Sequence, residues 1–118
     1  MGIKISRFDK EKSAPAHAGT ILAMDVLPEG VKAPFSHAYG YLENGNAMEP
    51  HAHPTPEIYI VFSGRGAVVV DGEWSEVFPG DVINIPPNAE HSMIAQPEGA
   101  FLWAAFWWDV VFDSAEGT

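Results

Sequence analysis

From residue 20 onward, no apolar run lasts long enough to build an extended helix before a turn signal stops it. "TILAMDVL" gives way to "PEG", "AYGYL" to "ENGN", "EIYIVF" to "SGRG", "AVVV" to "DGE", "WSEVF" to "PGD" and "VINI" to "PPNAE"; "HSMIAQ", "PEG" and "FLWAAFWW" follow. Short runs at close spacing, bounded by Gly, Pro, Asn and Asp, are the pattern of an all-β sandwich or barrel. Several stops specify their own geometry. Asp71-Gly72 favours a tight hairpin and Pro79-Gly80 a type II turn. Gly64 and Gly66 close the strand before them, and Pro86-Pro87, which cannot donate ladder hydrogen bonds, should end "VINI". His91 then opens the next strand. At 118 residues the chain can bury one core but not two.

Residues 1–19 read differently. They are polar, include "SAPAHAG", and look like a mobile or loosely docked lead-in, which puts the barrel at residues 20–112 and leaves 113–118 as a tail. The basic residues Lys4, Arg7, Lys10, Lys12 and Lys32 all precede residue 33; beyond it Arg65 alone faces 12 acidic residues. A surface that acidic repels phosphate backbones, so no nucleic-acid partner is expected. The start "MGIKISRFDKEK" lacks the apolar core of a secretory signal, and "FLWAAFWWDVVF" is too short to span a bilayer and contains Asp109. A soluble, cytoplasmic protein with no membrane partner is the expectation.

The chain has no cysteine, which excludes disulfides and thiolate metal sites and leaves histidine and carboxylate as ligands. In "EPHAHPTPEIYIVFSGRG", residues 49–66, His51 and His53 have the same strand parity, with Cα atoms about 6.6 Å apart at roughly 3.3 Å per residue. Two imidazoles can then converge on one ion. On a straight strand Glu57 would lie about 20 Å from His51, so the chain must turn between them. Pro54-Thr55-Pro56 provides that turn, because each proline fixes its own φ and holds the preceding residue out of the helical region. His91, after a proline-marked turn, is placed to add a fourth ligand from a neighbouring strand. Three histidines and one carboxylate suit Fe, Mn, Ni, Co, Cu or Zn.

At these residues the chain resembles the cupin family. Gly45, His51, His53, Glu57 and Gly64 in "GNAMEPHAHPTPEIYIVFSG" reproduce the first cupin motif at every position. The second is matched at Gly80, Pro86 and His91, with Asn88 where the family usually has glycine and Ala95 where it usually has asparagine. The resemblance covers roughly residues 20–108 and implies a double-stranded β-helix, that is, a jelly-roll barrel, with one divalent transition metal inside. Asn88 is a mild departure, since Asn tolerates left-handed conformations. Ala95 removes a polar group from beside the site.

Strand alternation puts Tyr59 and Val61 on the interior face with Glu57, and Met93 with His91. Tyr59 could donate a hydrogen bond to a bound molecule, and Glu49, with the parity of His51, could act as a pocket acid or base. His17 and His37 read as surface residues, His37 being nearer a barrel strand. One face of the strand through Phe101, Trp103, Phe106, Trp107 and Trp108 should look into the barrel, and the sequence leaves open which. With Arg65 at an exposed turn, the interior holds no cationic side chain to clamp phosphates or polycarboxylates. The substrate expected is therefore a small, fairly apolar molecule with one chelating oxygen group. By family analogy the activity is first a dioxygenase using Fe or Mn, with a non-redox lyase, decarboxylase or isomerase, or a non-catalytic binding module, as alternatives. The resemblance also implies a homodimer.

Overall fold

The computed structural model describes residues 2–109. The proposed tail, 113–118, and the last residues assigned to the barrel lie outside the described residues. Within them the chain is all-β apart from one 3-10 turn at Lys10–Lys12. The strands are β1 (Ala14–Ala16), β2 (Ile21–Met24), β3 (Ser36–Glu43), β4 (Glu57–Ser63), β5 (Gly66–Val70), β6 (Glu73–Val77), β7 (Val82–Ile85), β8 (His91–Ala95) and β9 (Ala100–Trp107). They form a six-stranded sheet in the order β1-β2-β3-β9-β4-β7 and a three-stranded sheet in the order β6-β5-β8. Every named pairing is antiparallel.

The expected jelly-roll barrel is thus seen as a two-sheet sandwich, without continuous ladder pairing around it. Single bridges, Ala47 to Ile94 and His51 to His91, extend the small sheet at its β8 edge. Prolines account for the gap: Pro50 and Pro54 flank the histidine pair, and a residue without an N–H cannot continue a ladder. His51 and His53 therefore lie on an extended segment tied at one bridge, where the sequence suggests a regular strand.

The turns follow their local chemistry. Asp71 and Gly72 both have positive φ, 48° and 84°, and join β5 to β6 in a two-residue hairpin. At Pro79-Gly80 the glycine sits at φ 94° and the Asp81 amide donates to the Phe78 carbonyl at 3.0 Å. Asn88 takes φ 64°, which explains why it can stand in a glycine position. Strand β7 stops at Ile85, immediately before the paired prolines.

Alternation decides which side chains face inward. On β4, Glu57, Tyr59 and Val61 are buried while Ile58 and Ile60 are only partly so. Met93 and Ala95 of β8, Phe101, Trp103 and Ala105 of β9, and Val68 and Val77 join Tyr59 and Val61 in one apolar cluster. Ala95 is therefore a core residue here, and its methyl group takes part in the packing. Gly40 makes room for the largest member: a Cβ at that position would overlap the Trp103 indole.

The lead-in segment is more than a loose tail. Ala14–Ala16 pairs with β2 as the edge strand of the large sheet. Phe8 stacks on Tyr41 with ring centroids 5.2 Å apart and meets Tyr39 edge-on at 5.6 Å. Composition hides this, because an edge strand of three small residues has no periodicity to read.

Gly64 carries two demands at once, φ 77° and a position where a Cβ would run into the Ala100 carbonyl; Gly72 has φ 84° but open space around it. Both should resist alanine, but unequally. Gly64→Ala should lower the thermal midpoint at least about 5 °C further than Gly72→Ala does, as calorimetry would show. Equal losses would mean that the β4–β9 contact is looser than described.

Candidate metal centre

His51, His53 and His91 offer ring nitrogens that all lie within 4.8 Å of one another. Each ring is held from behind. The Nδ1–H of His51 donates to the Glu49 carbonyl at 3.1 Å, that of His53 to the Thr55 carbonyl at 2.9 Å, and that of His91 to the Ala89 carbonyl at 2.9 Å. A carbonyl can only accept, so each Nδ1 must carry the proton and each Nε2 is left free to bind a cation. The Thr55 hydroxyl adds a second contact to His53 Nδ1 at 3.0 Å.

Glu57 closes the set. The Pro-Thr-Pro turn returns its Oε1 to 2.9 Å from His53 Nε2 and 3.3 Å from His91 Nε2. Metal–ligand bonds of about 2.0–2.2 Å put neighbouring ligand atoms roughly 3 Å apart, so these separations fit one ion. His91 Nε2 gives a second indication. It is buried and has no well-formed hydrogen bond among the described residues, the Glu57 carboxylate lying 3.3 Å away. A buried orphan nitrogen facing a carboxylate needs a cation or a proton. The three imidazoles therefore fit a divalent metal, with the Glu57 carboxylate beside two of them.

Around this cluster lies a cavity of about 290 Å³. Its wall combines aromatic side chains, Tyr39 from β3, Tyr59 from β4, and Trp103 and Trp107 from β9, with aliphatic ones such as Ile21 and Met48. This answers the question of the β9 face, since Trp103, Ala105 and Trp107 line the cavity while Phe101 packs in the core. Tyr59 is 2% exposed and its ring lies 5.9 Å from that of His91. Burial, helped by the Glu57 charge, pushes its phenol well above the ordinary range. At neutral pH it is a hydrogen-bond donor. Glu49 is exposed and is not among the residues lining the cavity; its contribution is the carbonyl that holds His51.

Of the two histidines read as surface residues, one stays outside the site and the other does not. His37 points away from the cluster, its Nδ1 accepting from the Val26 amide at 3.0 Å. His17, read as a surface residue, lines the cavity and stacks on His51 with ring centroids 4.1 Å apart. Its signal was missed because it sits outside every motif, on a turn of the lead-in. Tyr39 was missed as well, since "SHAYGYLE" offers tyrosines of one parity and no sequence cue to their depth. No Lys or Arg lines the cavity among the described residues, and Arg65 lies at the surface, 3.8 Å from Glu76.

Residues 38–107 match the family model described as Cupin domain. Among curated proteins, the dimethylsulfoniopropionate lyase DddW of Ruegeria pomeroyi is 42% identical over 55 residues, 47% of this chain and 36% of the lyase. The acireductone dioxygenase of Bacillus cereus is 31% identical over 58 residues, 45% of this chain and 34% of that enzyme. The chain thus aligns with only about a third of the length of either enzyme. Among solved structures, a Cupin 2 conserved barrel domain protein from Salinispora arenicola is similar at a TM-score of 0.79 with 28% identity, covering 93% of this chain and 92% of that one.

Proton competition at the cluster has a definite sign. Burial alone would lower the His91 pKa, but the Glu57 carboxylate and the Ala89 carbonyl outweigh it and raise the value above 6.5. Without metal, the His91 proton therefore stabilises the fold fully below pH 6.5, and that contribution is lost as pH rises through the raised value. A cation must displace the same proton. Calorimetric titration with Mn(II) or Zn(II) should show at least about tenfold tighter binding at pH 7.5 than at pH 5.5, with proton release on binding. Affinity independent of pH would contradict coordination by these imidazoles.

Proposed function

This chain belongs to the cupin family, and from that premise we propose that it is a metal-dependent enzyme acting on a small, largely apolar molecule with one metal-binding oxygen group. The observation that carries the reading is the convergence of ring nitrogens from His51, His53 and His91, with the Glu57 carboxylate beside two of them, at a cavity lined in part by aromatic side chains. His51, His53, Glu57 and His91 would hold a divalent metal, which would supply Lewis-acid chemistry, and redox chemistry if it were iron or manganese.

The chain's own residues do the rest. No Lys or Arg is among the described lining residues, so no basic side chain of the cavity pairs with an anionic oxygen. Tyr39, Trp103 and Trp107 enclose the remainder of the molecule and exclude water from it. Tyr59, protonated and buried, donates a hydrogen bond from its Oη to an oxygen of the bound molecule.

Lyase chemistry is the first reading of the reaction, because the stretch shared with the dimethylsulfoniopropionate lyase is the more similar of the two. Dioxygenase chemistry, the first expectation by family analogy, is the second, supported by the acireductone dioxygenase likeness. The working form is proposed to be a cytoplasmic homodimer. No helix of the described residues is long and apolar enough to cross a membrane.

Elemental analysis of protein purified without added metal should find close to one transition-metal ion per chain, lost in the His51→Ala, His53→Ala double variant. A metal-free wild type would sink the proposal. Protein loaded with iron or manganese should then be offered dimethylsulfoniopropionate and acireductones with and without oxygen. Anaerobic turnover supports the lyase, oxygen-dependent turnover the dioxygenase, and none in either condition counts against both. With whichever substrate turns over, Tyr59→Phe should lower kcat about tenfold to a hundredfold, the worth of a hydrogen bond to a charged group, while metal content holds.

A further inference from the structure

The three histidines are not equally supported. His91 is 1% exposed and built into β8, and His53 is held by Thr55 at Nδ1 and faces Glu57 at Nε2. His51 is half-buried, belongs to no regular strand, and has one side-chain hydrogen bond, to the Glu49 carbonyl. By itself that bond would leave the ring free to swing toward solvent.

We propose that the β1–β2 turn, residues 17–20, is a built part of the metal centre whose task is to position His51 as a ligand. This inference rests on the metal reading above. Two contacts carry it. The His17 ring lies nearly parallel to that of His51, centroids 4.1 Å apart at 27°, and covers one face of the imidazole. Thr20 acts on the other support: its hydroxyl donates to the His17 carbonyl at 2.6 Å and accepts the Glu49 amide at 2.8 Å. Glu49 is the residue whose carbonyl holds His51 Nδ1, so Thr20 fixes the peptide segment on which that bond depends.

The turn reaches this position at a conformational cost. His17, Ala18 and Gly19 take φ 51°, 61° and 77° in succession, left-handed values that alanine in particular enters only under constraint. That backbone directs the His17 ring inward over His51, although the turn itself is exposed. His17 is thus a positioning residue that acts through His51. It lies outside the ligand cluster formed by the other three histidines.

Cobalt(II) titration of the full chain tests this, because cobalt's visible absorption reports ligand geometry as well as occupancy. His17→Ala should weaken cobalt binding about tenfold, the scale of loss seen when a support behind a metal ligand is removed, and should alter the absorption band. His17→Phe keeps a flat ring over His51 and should restore most of the affinity and the band. Thr20→Val, which breaks the link to Glu49, should weaken binding in the same direction. Without metal, His17→Ala and His17→Phe, both placed at φ 51°, should lower the thermal midpoint alike, so a difference in cobalt affinity between them reports the ring and not the backbone. An alanine variant with the affinity and spectrum of the wild type would overturn the clamp and leave the metal centre standing, as would failure of phenylalanine to rescue a folded protein. A wild type that takes up no cobalt would overturn both.

Discussion

The backbone bridge between His51 and His91 is the contact on which the site depends. Their amides and carbonyls exchange hydrogen bonds at 3.1 and 2.9 Å, joining an extended segment between two prolines to the start of β8. Without it the histidine pair and His91 would belong to separate parts of the chain. With it, residues 40 apart in sequence present their rings to one point. Flanking contacts hold the bridge in register: Met48 donates to the Met93 carbonyl at 2.8 Å, and the Ser92 hydroxyl donates to the Met48 carbonyl at 2.6 Å.

Electrostatics then gives the site its character. The chain carries a net charge of −10, its cavity has no basic lining residue among those described, and the buried Glu57 carboxylate adds a negative charge beside the imidazoles. A cation at that point relieves the cost of burying Glu57 and satisfies the orphaned His91 nitrogen together. The aromatic wall lowers the local dielectric and strengthens both effects.

Much of this was legible in the sequence because it rests on local rules. The turn at Asp71-Gly72, the end of β7 at Pro86, the inward parity of Glu57, Tyr59 and Val61, and the return of Glu57 through Pro54-Thr55-Pro56 all follow from φ restrictions and strand alternation. What stayed hidden depends on contacts between distant segments. His17 reaches the site through a left-handed turn that no periodicity announces, and the inward face of β9 is set by its register with β3 and β4. Glu49 shows the converse. Its parity suggested a side chain in the pocket, but the proline after it and the bridge at His51 make its carbonyl the useful group.

X-ray absorption spectroscopy of the protein carrying one bound transition-metal ion tests the central claim most directly. The account predicts three imidazole nitrogens and one carboxylate oxygen at about 2.0–2.2 Å, with the remaining scatterers being light exchangeable atoms. The imidazole signal should fall by one ring in each of His51→Gln, His53→Gln and His91→Gln. A shell of oxygens alone, or a spectrum unchanged in all three variants, would contradict it.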